Sequence, residues 1–242
     1  MNWTTAPMAA FDLETTGPIP TNARIVTAHI ALINGREHSG QNWLLNPQQG
    51  IPEGATAVHG ITTEHAREHG QNYTEGYHEI RQALTAAWEA GHTVVVFNAA
   101  YDLTLMDREG VRLGYPPLEP GLVIDPFVID RAMDPYRKGK RTLAAVCEHY
   151  DVRLDGAHSA DGDALAAARL AWKLPRKYSA LAGLDIMQSQ AEWHAARQDD
   201  FAEYLRRQGK DASDVNGDWP MRGRKQSTEP EQQTLDTAEV VA

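Results

Sequence analysis

A single cysteine, Cys147, among 242 residues excludes an intramolecular disulfide framework and is compatible with a reducing compartment. No apolar run approaches the roughly 18 to 20 residues needed to span a bilayer. The opening stretch MNWTTAPMAAFD lacks the basic segment of a secretory signal and meets an acid early. Neither secretion nor membrane insertion is expected, and the cytoplasm is the expected compartment. Basic residues are also in deficit, 23 against 33 acids, for a formal net charge of −10. Wrapping long duplex nucleic acid by charge alone requires a wide basic footprint, so that class is disfavoured. An enzyme that grips one strand end through metal ions is not, because a bound divalent cation reverses the local sign.

What is present is a globular composition, 42% hydrophobic and 23% charged. The length suits one domain of ordinary size, or one domain with an appendage. Met8 to Leu13 reads as an apolar strand that runs into the turn-like Thr15-Thr16-Gly17-Pro18. Arg24 to Ile33 and His38 to Leu45 flank Asn34-Gly35, a two-residue hairpin signal. Tyr77, Ile80, Leu84 and Trp88 share one face of a helix over 74–90. Thr93 to Phe97 is a β-branched run suited to a strand covered on both faces. Helices are then expected over 99–112, 142–150, 160–174 and 185–207, with a short strand near 122–125. A meander followed by alternating strands and helices predicts an α/β fold, a mixed β-sheet with helices packed on it. From Gln208 large apolar residues become scarce, so 208–242 is expected to be an unstructured tail. The expected division is 1–182 as the main domain, 183–207 as a helical extension, and the tail.

Three constellations carry chemistry. In Phe11-Asp12-Leu13-Glu14-Thr15-Thr16-Gly17, residues 12 and 14 of a strand point to one face, ~6.5–7 Å apart. Two adjacent carboxylates repel unless a cation lies between them, which suggests a hard metal; a solvated strand end is the alternative. In Phe97-Asn98-Ala99-Ala100-Tyr101-Asp102, Asn98 sits where strand gives way to helix and suits an N-cap. Asp102 shares the apolar stripe of that helix with Leu105 and Met106, so its carboxylate needs a partner. A first-turn acid favoured by the helix dipole is the competing account. In His158-Ser159-Ala160-Asp161-Gly162-Asp163, Ser159 suits an N-cap and both acids fall in the first turns. Periodicity does not separate Asp161 from Asp163. His158, just before the helix, could lean over the same site and titrate near neutral pH.

Taken together and in this order, FDLETTG, NxxxD and HxxxxD resemble the DEDDh, or DnaQ-like, family of 3′–5′ exonucleases, which contains bacterial proofreading subunits. The resemblance covers about 7–174, and Val58-His59-Gly60-Ile61-Thr62 is similar to a loop of that family. It implies an RNase H-like fold. It further implies that Asp12, Glu14, Asp102 and Asp163 hold two Mg²⁺ ions, which Mn²⁺ could replace, and that His158 is the general base. The choice of Asp163 over Asp161 rests on the resemblance alone. Thr15, His59 and Asn98 would contact the terminal nucleotide. Two departures are visible: Phe97 stands where many members have histidine, and Tyr101 where phenylalanine is common.

The implied activity is release of nucleoside 5′-monophosphates from DNA 3′ ends, single-stranded or frayed. An RNA-trimming relative and a non-catalytic polymerase-associated subunit are the alternatives, so nucleic-acid 3′ ends and a DNA polymerase are the expected partners. A basic stretch, Arg131, Arg137, Lys138, Lys140 and Arg141, enters a helix N-terminus where cations are electrostatically disfavoured, hinting at a phosphate-facing role. A solvated basic loop is the alternative. Cys147, Trp43 and Trp88 suit packing, and His65 with His69 lack further zinc ligands.

Overall fold

The computed structural model describes residues 2–35, 37–155 and 159–223. Its centre is a five-stranded sheet in the order β3-β2-β1-β4-β5, made of β1 (Met8–Thr15), β2 (Ile25–Asn34), β3 (Glu37–Leu44), β4 (Thr93–Val95) and β5 (Val123–Ile124). The β1–β2–β3 meander is antiparallel, whereas β4 and β5 run parallel to β1. The helices are α1 (Glu53–His59), α2 (Thr63–His69), α3 (Tyr73–Glu89), α4 (Ala99–Arg112), α5 (Pro126–Met133), α6 (Leu143–His149), α7 (Ala160–Lys177) and α8 (Ile186–Arg207). Among the described residues no helix is long and apolar enough to cross a membrane.

Strand alternation divides the core into two layers. Ala9, Phe11 and Leu13 of β1 face the layer covered by α3 and α4, together with Tyr77, Ile80, Leu103 and Met106. Met8 and Ala10 face the opposite layer, where the alanine-rich α7 lies across β1 and β2 with α6 beside it. Small side chains on Ala164, Ala167, Ala168 and Ala171 let α7 approach the sheet closely. Asp12 and Glu14 continue the α7-facing set by register alone.

Several boundaries differ from expectation. The hairpin connection starts at Gly35, one residue later than Asn34-Gly35, because Asn34 still pairs with Glu37. Gly35 takes φ 65°, the left-handed conformation that tight hairpin turns demand. β4 ends at Val95, because the chain turns at Asn98, itself left-handed at φ 70°, into α4. Helix α7 continues through Pro175 to Lys177, since a proline in the final turn removes only one ladder bond. Helices α1, α2 and α5, of seven or eight residues each, are not among those expected from the sequence.

The segment after α8 corrects the expectation of an unstructured tail as far as Gly223. Trp219 is 8% exposed and packs in the α3–α4 layer. Its indole N–H donates to Asp125 at 3.3 Å. The Arg222 backbone N–H donates to Thr104 Oγ1 at 2.8 Å, and Arg108 donates to the Gly223 carbonyl at 2.7 Å. One large aromatic and a few backbone bonds anchor a stretch whose composition is otherwise that of a loop. Residues 224–242 lie outside the described set.

Candidate active site

The α7-facing end of β1 gathers acids from distant parts of the chain. Carboxylate oxygens of Asp12, Glu14 and Asp163 lie within 4.8 Å of one another, the only such metal-competent group among the described residues. Asp12 and Glu14 come from adjacent same-face positions of β1, and Asp163 from the first turn of α7. Asp161 is exposed and stands outside this group; its carboxyl is held low by a hydrogen bond to Ser159. His158 lies outside the described residues.

Asp102 approaches from α4 and is 4% exposed. Burial pushes its pKa well above the usual carboxylate range, against the pull of its own backbone and that of Leu13; Asp125 and Glu14 push it further up. Asp12 is raised well above the usual range for the same first reason, then by the charges of Asp102, Glu14 and Asp163. Glu14 is raised to about 7, by burial and then by Asp163. Burial first, and the neighbouring acids second, thus push Asp12, Glu14 and Asp102 toward the protonated form, an arrangement that a divalent cation would relieve. All four offer hard oxygen donors, the set preferred by Mg²⁺ and Mn²⁺.

The rim of the site is built by the turn that follows β1. The register shifts between Glu14 and Thr15, and Thr16 and Arg24 close the turn through reciprocal bonds at 2.9 Å. Thr15 Oγ1 lies 2.5 Å from the Tyr101 hydroxyl, which also donates to the Gly17 carbonyl. Tyr101 therefore ties the turn to α4, a structural use for the hydroxyl that phenylalanine could not supply. Its burial pushes the phenol up to about 12, so it remains a donor. His59 ends α1, with Nδ1 accepting from the Ile61 N–H at 3.1 Å. Burial lowers its pKa, opposed by the Thr15 backbone, so the ring is neutral at pH 7.

Asn98 does not cap α4 with its side chain, contrary to the N-cap reading. Asp125, absent from the expected set, takes that role. It accepts the Asn98 and Ala99 N–H groups at 2.9 Å each and those of Phe127 and Val128 at the start of α5. It is 0% exposed, and the indole of Trp219 completes its shell. Asn98 is thereby held left-handed with its side chain exposed. The signal for Asp125 was present: an acid between an apolar strand and a proline at the first helical position. His29, also missed, is buried opposite Asp12 in β2, 2.6 Å from Asn42 Oδ1.

The basic stretch is corrected in part. Arg137 and Arg141 point inward to the fully buried Asp130, at 2.5 and 2.8 Å, and Arg141 also donates to the Asp134 carbonyl. Arg131 lies over the Phe127 ring at 4.5 Å. A buried carboxylate requires such partners, which accounts for cations at a helix entrance without invoking phosphate. Trp43 is buried with its N–H on Glu79, Trp88 donates to the Leu122 carbonyl, and Cys147 is buried with its thiol pushed up to about 11.

Comparison with known proteins adds three findings. A family model described as exonuclease matches residues 9–171. The DNA polymerase III subunit epsilon-like protein of Rhodobacter capsulatus is 28% identical over 166 residues, covering 65% of this chain and 22% of that protein. The PolC-type DNA polymerase III of Ureaplasma parvum serovar 3 is 26% identical over 174 residues, covering 69% of this chain and 11% of that protein. The chain therefore spans less than a quarter of the length of these relatives. Among solved structures, exonuclease I aligns with a TM-score of 0.65 at 18% identity, covering 74% of this chain and 42% of that one. Exonuclease I of E. coli in complex with a dT13 oligonucleotide aligns at 0.60 and 19%, covering 73% and 43%. These likenesses fit the mixed sheet and helices to the RNase H-like exonuclease fold.

Proposed function

The chain belongs to the DnaQ-like 3′–5′ exonuclease family, and from that premise we propose that it shortens single-stranded or frayed DNA from the 3′ end, releasing nucleoside 5′-monophosphates. The observation that carries this reading is the convergence of Asp12, Glu14 and Asp163, with Asp102 buried against Asp12. A binding subunit without catalysis would have no use for four carboxylates that destabilise one another.

Asp12 would be shared between two Mg²⁺ ions, Glu14 and Asp163 would help hold one, and Asp102 the other. Such ions supply an activated water and neutralise charge on the phosphate oxygens. The protein's part is positioning. Thr15, held by Tyr101, presents its backbone to the terminal nucleotide, and the neutral His59 ring and the exposed Asn98 amide approach it from neighbouring elements. An imidazole nitrogen of His158 would take the proton from the attacking water, a role worth roughly 10² to 10⁴ in rate. Catalysis is assigned to 1–182, and residues beyond it to an extension. The names of the curated relatives, both DNA polymerase III proteins, support DNA over RNA and a polymerase as partner.

The test is digestion of matched 5′-labelled single-stranded DNA and RNA with Mg²⁺, Asp12→Ala serving as control. A ladder shortening from the 3′ end, faster on DNA and absent in the variant, is expected. Folded protein that leaves both strands intact with Mg²⁺ and Mn²⁺ would overturn the reading.

A further inference from the structure

A cavity of about 690 Å³ lies on the α7 face of the sheet, at the opposite end from the carboxylate cluster. Its walls are the start of β1 at Met8, the β2–β3 hairpin at Ile33 and His38, the loop at Asp151–Arg153, and the second half of α7. Along α7, Trp172 and Arg176 stand about 13 and 20 Å beyond Asp163 at the rise of a helix. The volume falls within the range of sites that hold ligands of nucleotide size.

Its charge is opposite to that of the molecule. Arg153, Arg169, Lys173 and Arg176 line it against one acid, Asp151, in a chain of net charge −10. Asp155 is shared by Arg153 at 2.5 Å and Arg169 at 3.3 Å, so one carboxylate serves two guanidinium groups. Lys173 reaches the Asp151 carbonyl at 3.4 Å and Arg176 the Trp172 carbonyl at 2.6 Å; neither has an ion-pair partner among the described residues. The dipole of α7 favours cations in its last turn. It does not account for Arg153, from a different segment, opening onto the same cavity. Trp172 is 51% exposed at the rim, with the Arg176 guanidinium 3.6 Å from its ring centre. Unpaired cations beside an exposed aromatic ring form the pairing that grips single-stranded nucleic acid: charge for phosphates, a ring for bases. Of the basic stretch before α6, Arg137 and Arg141 are committed to Asp130.

We propose that this cavity is an anchoring site for phosphates and a base of the same strand whose 3′ end occupies the carboxylate cluster. The assignment to a strand rests on the exonuclease reading. The anchor acts on long substrates only, because a substrate confined to the cluster does not reach it.

The experiment compares wild type with the double variant Lys173→Gln/Arg176→Gln. Binding of a fluorescent oligothymidylate of about 20 nucleotides is followed in EDTA across a salt series. Turnover of a small chromogenic diester, thymidine 5′-p-nitrophenyl phosphate, is followed with Mn²⁺. Loss of two phosphate contacts should make the slope of log affinity against log salt shallower by about 1.4, at ~0.7 per contact on single strands. Oligonucleotide affinity should fall about tenfold near 0.1 M salt, while diester turnover stays unchanged. Trp172→Ala should weaken oligonucleotide binding without altering the slope. Unchanged affinity and slope in the double variant would overturn the anchor, as would equal losses on both substrates. Thymidine monophosphate binding that depends on Lys173 and Arg176 while oligonucleotide binding does not would reassign the cavity to free nucleotide and overturn the strand assignment. If wild type leaves the diester and the labelled DNA and RNA strands intact with Mg²⁺ and Mn²⁺, the exonuclease reading fails, and the salt series still decides the cavity.

Discussion

Removing the charge of Glu14 should stabilise the metal-free protein. Its pKa rises from 4.5 to about 7 in the fold, through burial and then the charge of Asp163. The folded state therefore binds this proton more tightly than the unfolded chain does. The resulting stability is fully present below about pH 4.5, declines as the pH rises, and is gone above about 7. At 1.36 kcal/mol per tenfold change in proton affinity, the loss is about 3.4 kcal/mol at most. Screening of a partly exposed carboxylate reduces it to about 2 kcal/mol. For a chain of this size, that is about 4–8 °C in Tm. Asp12 and Asp102, also raised, act in the same direction. In EDTA near pH 8, where Glu14 is ionised, Glu14→Gln should therefore melt about 4–8 °C above wild type. Adding Mg²⁺ or Mn²⁺ should raise the Tm of wild type more than that of the variant, because cation binding draws on the same repulsion. Thermal melts of the two proteins, with and without cation, measure both effects. A variant melting at or below wild type in EDTA would refute the claim that these carboxylates oppose one another in the fold.

Three further outcomes are expected. His158→Ala should lower the metal-dependent rate of strand shortening by roughly 10² to 10⁴, and a rate within a few-fold of wild type in single-turnover assays would remove the histidine from the reaction. Trp219→Ala should cost about 3–5 kcal/mol in urea unfolding, because a buried indole and its bond to Asp125 are lost together; a cost below about 1 kcal/mol would show that the terminal segment does not dock. Asp130→Ala should cost about 3–5 kcal/mol by stranding Arg137 and Arg141, read from the same unfolding curves. If instead it left stability unchanged and altered only the salt dependence of DNA binding, the basic stretch would regain its phosphate-facing role.

The sequence by itself determined the features that depend on neighbours a few residues apart. Alternation in β1 placed Asp12 and Glu14 on one face, the β-branched run located β4, and helical spacing located α3, because side-chain periodicity is a local property of backbone geometry. The motif order carried the family, and with it the fold. Tertiary structure decided what depends on distance along the chain. Asp163 stands with Asp12 and Glu14, and Asp161 does not, because the packing of α7 on the sheet selects one side of an alanine-rich helix. Arg137 and Arg141 read as free cations until Asp130, itself unremarkable in sequence, is seen beneath them. Composition beyond Gln208 spoke for disorder, yet one tryptophan finding a slot between α4 and Asp125 was enough to fix the segment. Arg169, Lys173 and Arg176 share one face of α7 by spacing, but the cavity that they line with Arg153 exists only because α7 meets the 151–153 loop.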